Sequence, residues 1–166
     1  MKIYINRKPK HGPWGGGAKT VNKLVKVLKD RGHEITYRLE SGIDKIFCFD
    51  PRPNECGENI YHFLDYKKNN STKIIQRVGD IGTHSKPDLT SLVKMCVNKV
   101  DHLIFPSNWA KETIDFSGDN YDIIFNAPMV EFYKNRDLKT SLGGKPTVIT
   151  HHWSYNKKKA SKHMRN

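Results

Sequence analysis

The sequence predicts an α/β domain built on a doubly wound, mostly parallel sheet flanked by helices. Short β-branched and aromatic runs take turns with segments whose apolar residues recur at helical spacing, in the order strand, helix, strand, helix. The length of 166 residues is enough for one such domain with a core of its own.

Lys2 to Asn6 reads as the first strand. A loop rich in Gly and Pro follows, His11 to Gly17, and then Val21, Leu24, Val25 and Leu28 recur as one helical stripe. Gly32 sits just past the last turn, where a helix stop is expected. His33 to Leu39 and Lys45 to Phe49 read as strands, residues 58–68 contain a helix, and Thr72 to Val78 is a further strand. Leu89, Leu92, Val93, Cys96, Val97 and Val100 line the next helix, with Asp88 placed to cap it. His102 to Phe105 is expected as a strand, Asn108 to Phe116 as a helix, and Tyr121 to Phe125 and Thr147 to Thr150 as strands. One joint resists this scheme. Glu40 to Asp44 is too short for a helical crossover between parallel neighbours. Either the second strand is antiparallel at an edge, or those two strands are not neighbours.

Composition excludes several classes. No apolar run approaches the roughly 20 residues of a membrane-spanning helix. The apolar start followed by Arg7-Lys8 reverses the order of a secretory signal, so a cytoplasmic location is expected. Cys48, Cys56 and Cys96 are odd in number and widely spaced, against both a disulfide framework and a structural zinc site. The net charge of +12 is uneven: residues 1–31 carry +8, residues 155–166 carry +5, and the stretch between them −1. On the first helix Lys19, Lys23, Lys26 and Lys29 fall opposite the apolar stripe, as a solvated face would. No aromatic RNA-binding signature or zinc-finger spacing accompanies them, which argues against a nucleic-acid partner. His151 and His152 are adjacent, so in a strand they point to opposite faces and do not share a metal.

Ligands of open α/β sheets bind beyond the carboxyl ends of the strands, here 7–17, 50–57, 78–87, 106–108 and 126–131. Gly15, Gly16 and Gly17 lie between a strand and a helix, where backbone N–H groups and the helix N-terminus favour a diphosphate. Arg77, Asp80 and His84 leave a strand together. Arginine suits a carboxylate or phosphate, and Asp or His suits general-base work on a hydroxyl; an Arg–Asp pair bracing a turn is the plainer reading. Ser107 or Asn108 reads as an N-cap, Trp109 suits the core equally well, and Asn126 ends a strand in a turn.

The order of these pieces is more specific than any one of them. "GPWGGGAK", "IIQRVGDIGTH", "LIFPSNWAKETI", "DIIFNAPMVEFY" and "KPTVITHHWSYNKKK" follow one another over about residues 1–159. In that order the chain resembles the N-terminal half of GT-B glycosyltransferases, the family-4-like group. It departs from the family in having Asn126-Ala127 where Asn-Gly is usual. It also departs in stopping soon after the second domain begins.

The resemblance implies a single Rossmann-like half of a GT-B fold. Residues 1–146 would form the acceptor-side domain, and 147–166 the start of a truncated second domain with a basic tail. It implies transfer of a sugar from a nucleotide-sugar donor to a hydroxyl acceptor, without a metal or other cofactor, with a separate donor-domain chain as a possible partner. Gly15 to Gly17 would face the donor phosphates and Asp80 or His84 the acceptor hydroxyl. Arg77, Ser107 and Asn126 would line the cleft. A different class remains open: a non-catalytic basic module that binds nucleic acid or another polyanion through Lys19–Lys29 and the tail. A decayed remnant without activity is the third reading.

Overall fold

A computed structural model describes residues 1–12, 14–83 and 86–127. Met1–Asn126 forms one compact unit and Ala127–Asn166 a second. His84, the strand expected over Thr147–Thr150, the boundary expected at 146/147, His151, His152 and the basic tail lie outside the described residues.

The elements of the first unit alternate as expected: β1 (Lys2–Ile5), α1 (Gly16–Asp30), β2 (Glu34–Thr36), β3 (Lys45–Cys48), α2 (Ile60–Lys68), β4 (Lys73–Arg77), α3 (Pro87–Val97), β5 (His102–Phe105), α4 (Asn108–Thr113) and β6 (Tyr121–Ile123). All six strands pair in parallel, in the order β2-β1-β3-β4-β5-β6. This is a Rossmann-like doubly wound sheet, and its direction of winding reverses at β1 and β3. The reversal sends α1 to one face and the later helices to the other, because parallel crossovers keep one hand.

The core divides accordingly. Ile3 and Ile5 of β1 pack on Val21 and Val25 of α1. On the opposite face Tyr4, Ile46, Ile74, Leu103 and Phe105 pack beneath α2 and α3, through Phe63, Leu89, Val93 and Cys96. Alternate residues of β1 thus serve opposite faces, as the pleat requires. Tyr4 and Phe63 meet edge-on with ring centroids 5.3 Å apart.

The short joint is resolved by the strand order. β2 is parallel and lies at the edge, and β1 stands between it and β3. Residues 37–44 cross β1 as an irregular, turn-containing segment without a helix, whose Leu39 and Ile43 pack on the α2 face. Leu39 N–H donates to Glu58 Oε1 at 2.8 Å and Ile43 N–H to the Tyr66 hydroxyl at 3.3 Å, while Tyr66 donates to the Glu40 carbonyl at 2.8 Å. The backbone groups a helix would satisfy internally are met by α2 and its leading loop instead. Tyr37 and Leu39, expected in the strand, belong to this crossover.

Local signals set the helix ends. Gly32, at φ +76°, ends α1: its N–H bonds the Lys29 carbonyl at 2.9 Å and that of His33 the Leu28 carbonyl at 3.0 Å. Asn59 caps α2, accepting from Tyr61 and His62 N–H while His62 Nδ1 accepts from Asn59 N–H. Asp88 does not cap α3. Lys86 holds that position without a side-chain bond, Pro87 starts the helix, and Asp88 sits in the first turn, where its charge favours the dipole.

Candidate functional site

The carboxyl ends of the strands form one rim, and the winding reversal between β1 and β3 opens a crevice there. At that point β1 runs into residues 6–15 and then into α1. Gly15 occupies the N-cap position in extended backbone, so Gly16 and Gly17 are the first helical residues rather than part of the loop. The Gly15 carbonyl accepts from Ala18 and Lys19 N–H at 3.1 and 3.4 Å. A Cβ on Gly16 or Gly17 would meet nothing within 4 Å, so the start of α1 is open. A helix start without side chains lets an anion approach the backbone N–H groups and the positive end of the dipole.

The loop leading there is pinned. Buried Asn6 donates to the Asp50 carbonyl at 2.6 Å and accepts from Phe49 N–H at 2.8 Å, tying the ends of β1 and β3. Asn22 of α1 clasps Lys10 by both backbone groups, at 3.0 and 2.7 Å. The Lys10 ammonium lies 4.8 Å from the exposed Trp14 ring.

Asp50 organises the crevice. Its Oδ2 accepts from Arg7 Nη2 and Arg52 Nη2, each at 2.6 Å, and its Oδ1 from the Arg52 backbone and Nε at 3.0 and 2.9 Å. Burial raises the Asp50 pKa, but the bonds and charges of Arg52 and Arg7 outweigh it and hold the carboxyl below its ordinary value. This cluster carries no sequence signature. Its partners are 43 residues apart, and only the turn-forming Asp50-Pro51-Arg52-Pro53 marks the place.

Two strand spacings from β1, about 10 Å, β4 delivers Arg77. Arg77 Nη2 donates to Asn126 Oδ1 at 2.6 Å, joining the rim of β4 to the chain beyond β6. Two of the expected cleft residues are therefore in contact. Burial alone lowers the Arg77 pKa, and no carboxylate bonds it among the described residues. Gly79 leaves it room, because a Cβ there would stand 2.5 Å from Arg77 Nη1.

Asp80 does not pair with Arg77. It accepts from Gly82 N–H at 3.0 Å and from the Lys86 ammonium at 2.7 Å. Burial raises its pKa, but Lys86 and the Gly82 bond outweigh it and keep the carboxylate below its ordinary value. The same turn explains Gly82, at φ +77°, where a Cβ would lie 2.5 Å from the Lys86 carbonyl oxygen. Ser107 caps α4, accepting from Ala110 N–H at 3.2 Å. Trp109 is 58% exposed and so outside the core, and Phe125 is 68% exposed at the same rim.

Among the described residues no three His, Cys, Asp or Glu side chains converge as a metal centre needs, and no helix is long and apolar enough to cross a membrane. Comparison of the chain with protein-family models, curated proteins and solved structures returns no match.

Proposed function

We propose that Met1–Asn126 is the acceptor-side half of a glycosyltransferase that uses a nucleotide-sugar donor. The observation that carries this reading is the unobstructed start of α1 at the winding reversal, with Gly16 and Gly17 offering backbone and no side chain. The ordered motifs supply the reaction class; the rim supplies its electrostatics. Departure of a nucleotide diphosphate develops negative charge, which a helix start and fixed cations stabilise. In this reading Gly15 to Gly17 meet the diphosphate, Arg77 and Asn126 close the far side of the cleft, and Ser107 lines it. Asp80, with a depressed pKa, is a weak base and a strong electrostatic partner, so the acceptor proton falls to His84, with Asp80 beside the reacting hydroxyl. No metal is required. The test is transfer from a panel of nucleotide sugars, alone and with a separately supplied donor-domain chain. Absence of binding, donor hydrolysis and transfer in every combination rejects it.

A second reading has its own observation. Lys19, Lys23, Lys26 and Lys29 of α1 are all exposed, and only Lys26 has an acidic partner among the described residues, Asp30 at 2.7 Å. A polyanion-binding module would use that face, show a steep salt dependence, and lose binding on charge reversal at Lys23 and Lys26. Gly16→Val would leave such binding intact.

A further inference from the structure

Asp50 does more than tie two strands. One of its oxygens accepts from two guanidinium groups at 2.6 Å each, so their Nη2 atoms stand no more than 5.2 Å apart. Both oxygens are occupied, and two guanidinium charges face one carboxylate, leaving a net positive pair with unspent N–H groups. The Asp50 side chain is 15% exposed, whereas Arg7 and Arg52 are 35% and 41% exposed. The arginines are thus held from below and open to solvent above.

Arg7 also borders a shallow, solvent-open cleft, which Lys8, Lys10 and Tyr37 line with it. Glu55 is the lone carboxylate of that lining, and it lies 3.7 Å from the Lys10 ammonium. Three basic residues of one short loop therefore line the same concavity beside β1. The Asn22 clasp on Lys10 and the Asn6 bonds fix the backbone that carries them. Glu55 offsets Lys10 and Asp50 is shared between Arg7 and Arg52, so with Lys8 the cleft and the adjoining cluster keep an excess of positive charge.

We propose that this cleft binds an anionic group, a phosphate ester or carboxylate, of the acceptor, with Arg7 as the bidentate contact, Lys8 and Lys10 as flanking charges, and Asp50 and Arg52 as positioning residues. Tyr37 gives the cleft an apolar wall for the body of the same ligand. The word acceptor rests on the sugar-transfer reading; the anion site does not.

The experiment is a titration of the full chain, followed by amide NMR shifts, with inorganic phosphate, glucose 6-phosphate, glucuronate and glucose at constant ionic strength. The site predicts saturable shifts confined to 7–10 and 50–55 with at least one anionic probe and none with glucose. The two sugar acids separate a phosphate source from a carboxylate source. Arg7→Gln weakens binding at least about tenfold, and Lys68→Gln, an equal charge change on an exposed α2 lysine, does not. Shifts centred on Lys19–Lys29, equal shifts with glucose, or no saturation with any anion overturn the proposal. The wild-type titration decides the matter even if the Arg7 variant fails to fold. No donor or turnover is involved, so a failed anion titration leaves sugar transfer standing, and failed transfer leaves the anion site standing.

Discussion

Replacing Asp50 by Ala removes the acceptor of four hydrogen bonds and leaves Arg7 and Arg52 side by side without a counter-charge. Three of the four bonds come from guanidinium groups. A hydrogen bond to a charged group is worth about 1.5–3 kcal/mol, and removing one member of a buried pair costs about 3–5 kcal/mol. Both arginines are more than a third exposed, so solvent screens them and rehydrates them once released. Discounting by about half gives a loss of roughly 1.5–2.5 kcal/mol. For a unit of this size that is a fall in Tm of roughly 5–12 °C. Urea unfolding followed by far-UV circular dichroism gives the free energy, and a double-mutant cycle with Arg7→Gln isolates the coupling. The cycle should return at least about 0.5 kcal/mol of interaction. A loss below about 0.5 kcal/mol, with no coupling, would mean that the cluster is an ordinary surface ion pair and that Asp50 organises nothing.

Gly82→Ala should destabilise by about 2 kcal/mol or more, since the residue sits at φ +77° and a Cβ would press on backbone of Lys86 and Thr90; chemical denaturation checks it. Phe63→Ala should cost about 3–5 kcal/mol, because the ring is fully buried against Tyr4, and the m-value should stay unchanged. Asp50, Asp80 and Asp101 (which stands just before β5 and accepts from Lys67, Lys73 and the Ile74 N–H) all have depressed pKa values in the folded chain. Their contribution is complete above the unfolded carboxyl value of about 4 and is lost as pH falls through the lower folded values. Stability should therefore be flat just above that range and drop below about pH 4, with a shallower drop in Asp50→Asn.

How far the sequence discloses this molecule depends on the range of the interaction involved. β5 ends where the alternation of His102 to Phe105 ends, because a central strand is defined by its own side chains. Gly32 and the valine stripe of α1 are equally local and equally legible. β2 is overread at both ends, since Tyr37 and Leu39 are apolar for the sake of a crossover, and nothing nearby in sequence says so. Asp88 has the right chemistry for a cap but stands two residues late, after Pro87 has already fixed the helix start. The rim is legible as a set of loops, and Arg77 with Asn126 turns out to be a bonded pair. The Arg7–Asp50–Arg52 cluster is not legible, because it is made by strand order, which brings the end of β1 beside the end of β3. Asp80 shows the complementary lesson. Its residue type suits a base, but its partners Lys86 and Gly82 N–H give it a turn to brace and a depressed pKa.

The open start of α1 is the feature on which the functional account turns, and Gly16→Val interrogates it without disturbing the fold. Space for a Cβ is available and valine has no lower helix propensity than the glycine it replaces, so the variant should unfold within about 1 kcal/mol of the parent. Isothermal titration of parent and variant with a panel of nucleotide sugars is the direct measurement. Saturable binding by the parent, weakened at least about tenfold in the variant, is the predicted result. Equal affinity in the two proteins, or no binding by the parent to any donor either alone or with a donor-domain chain, would contradict it.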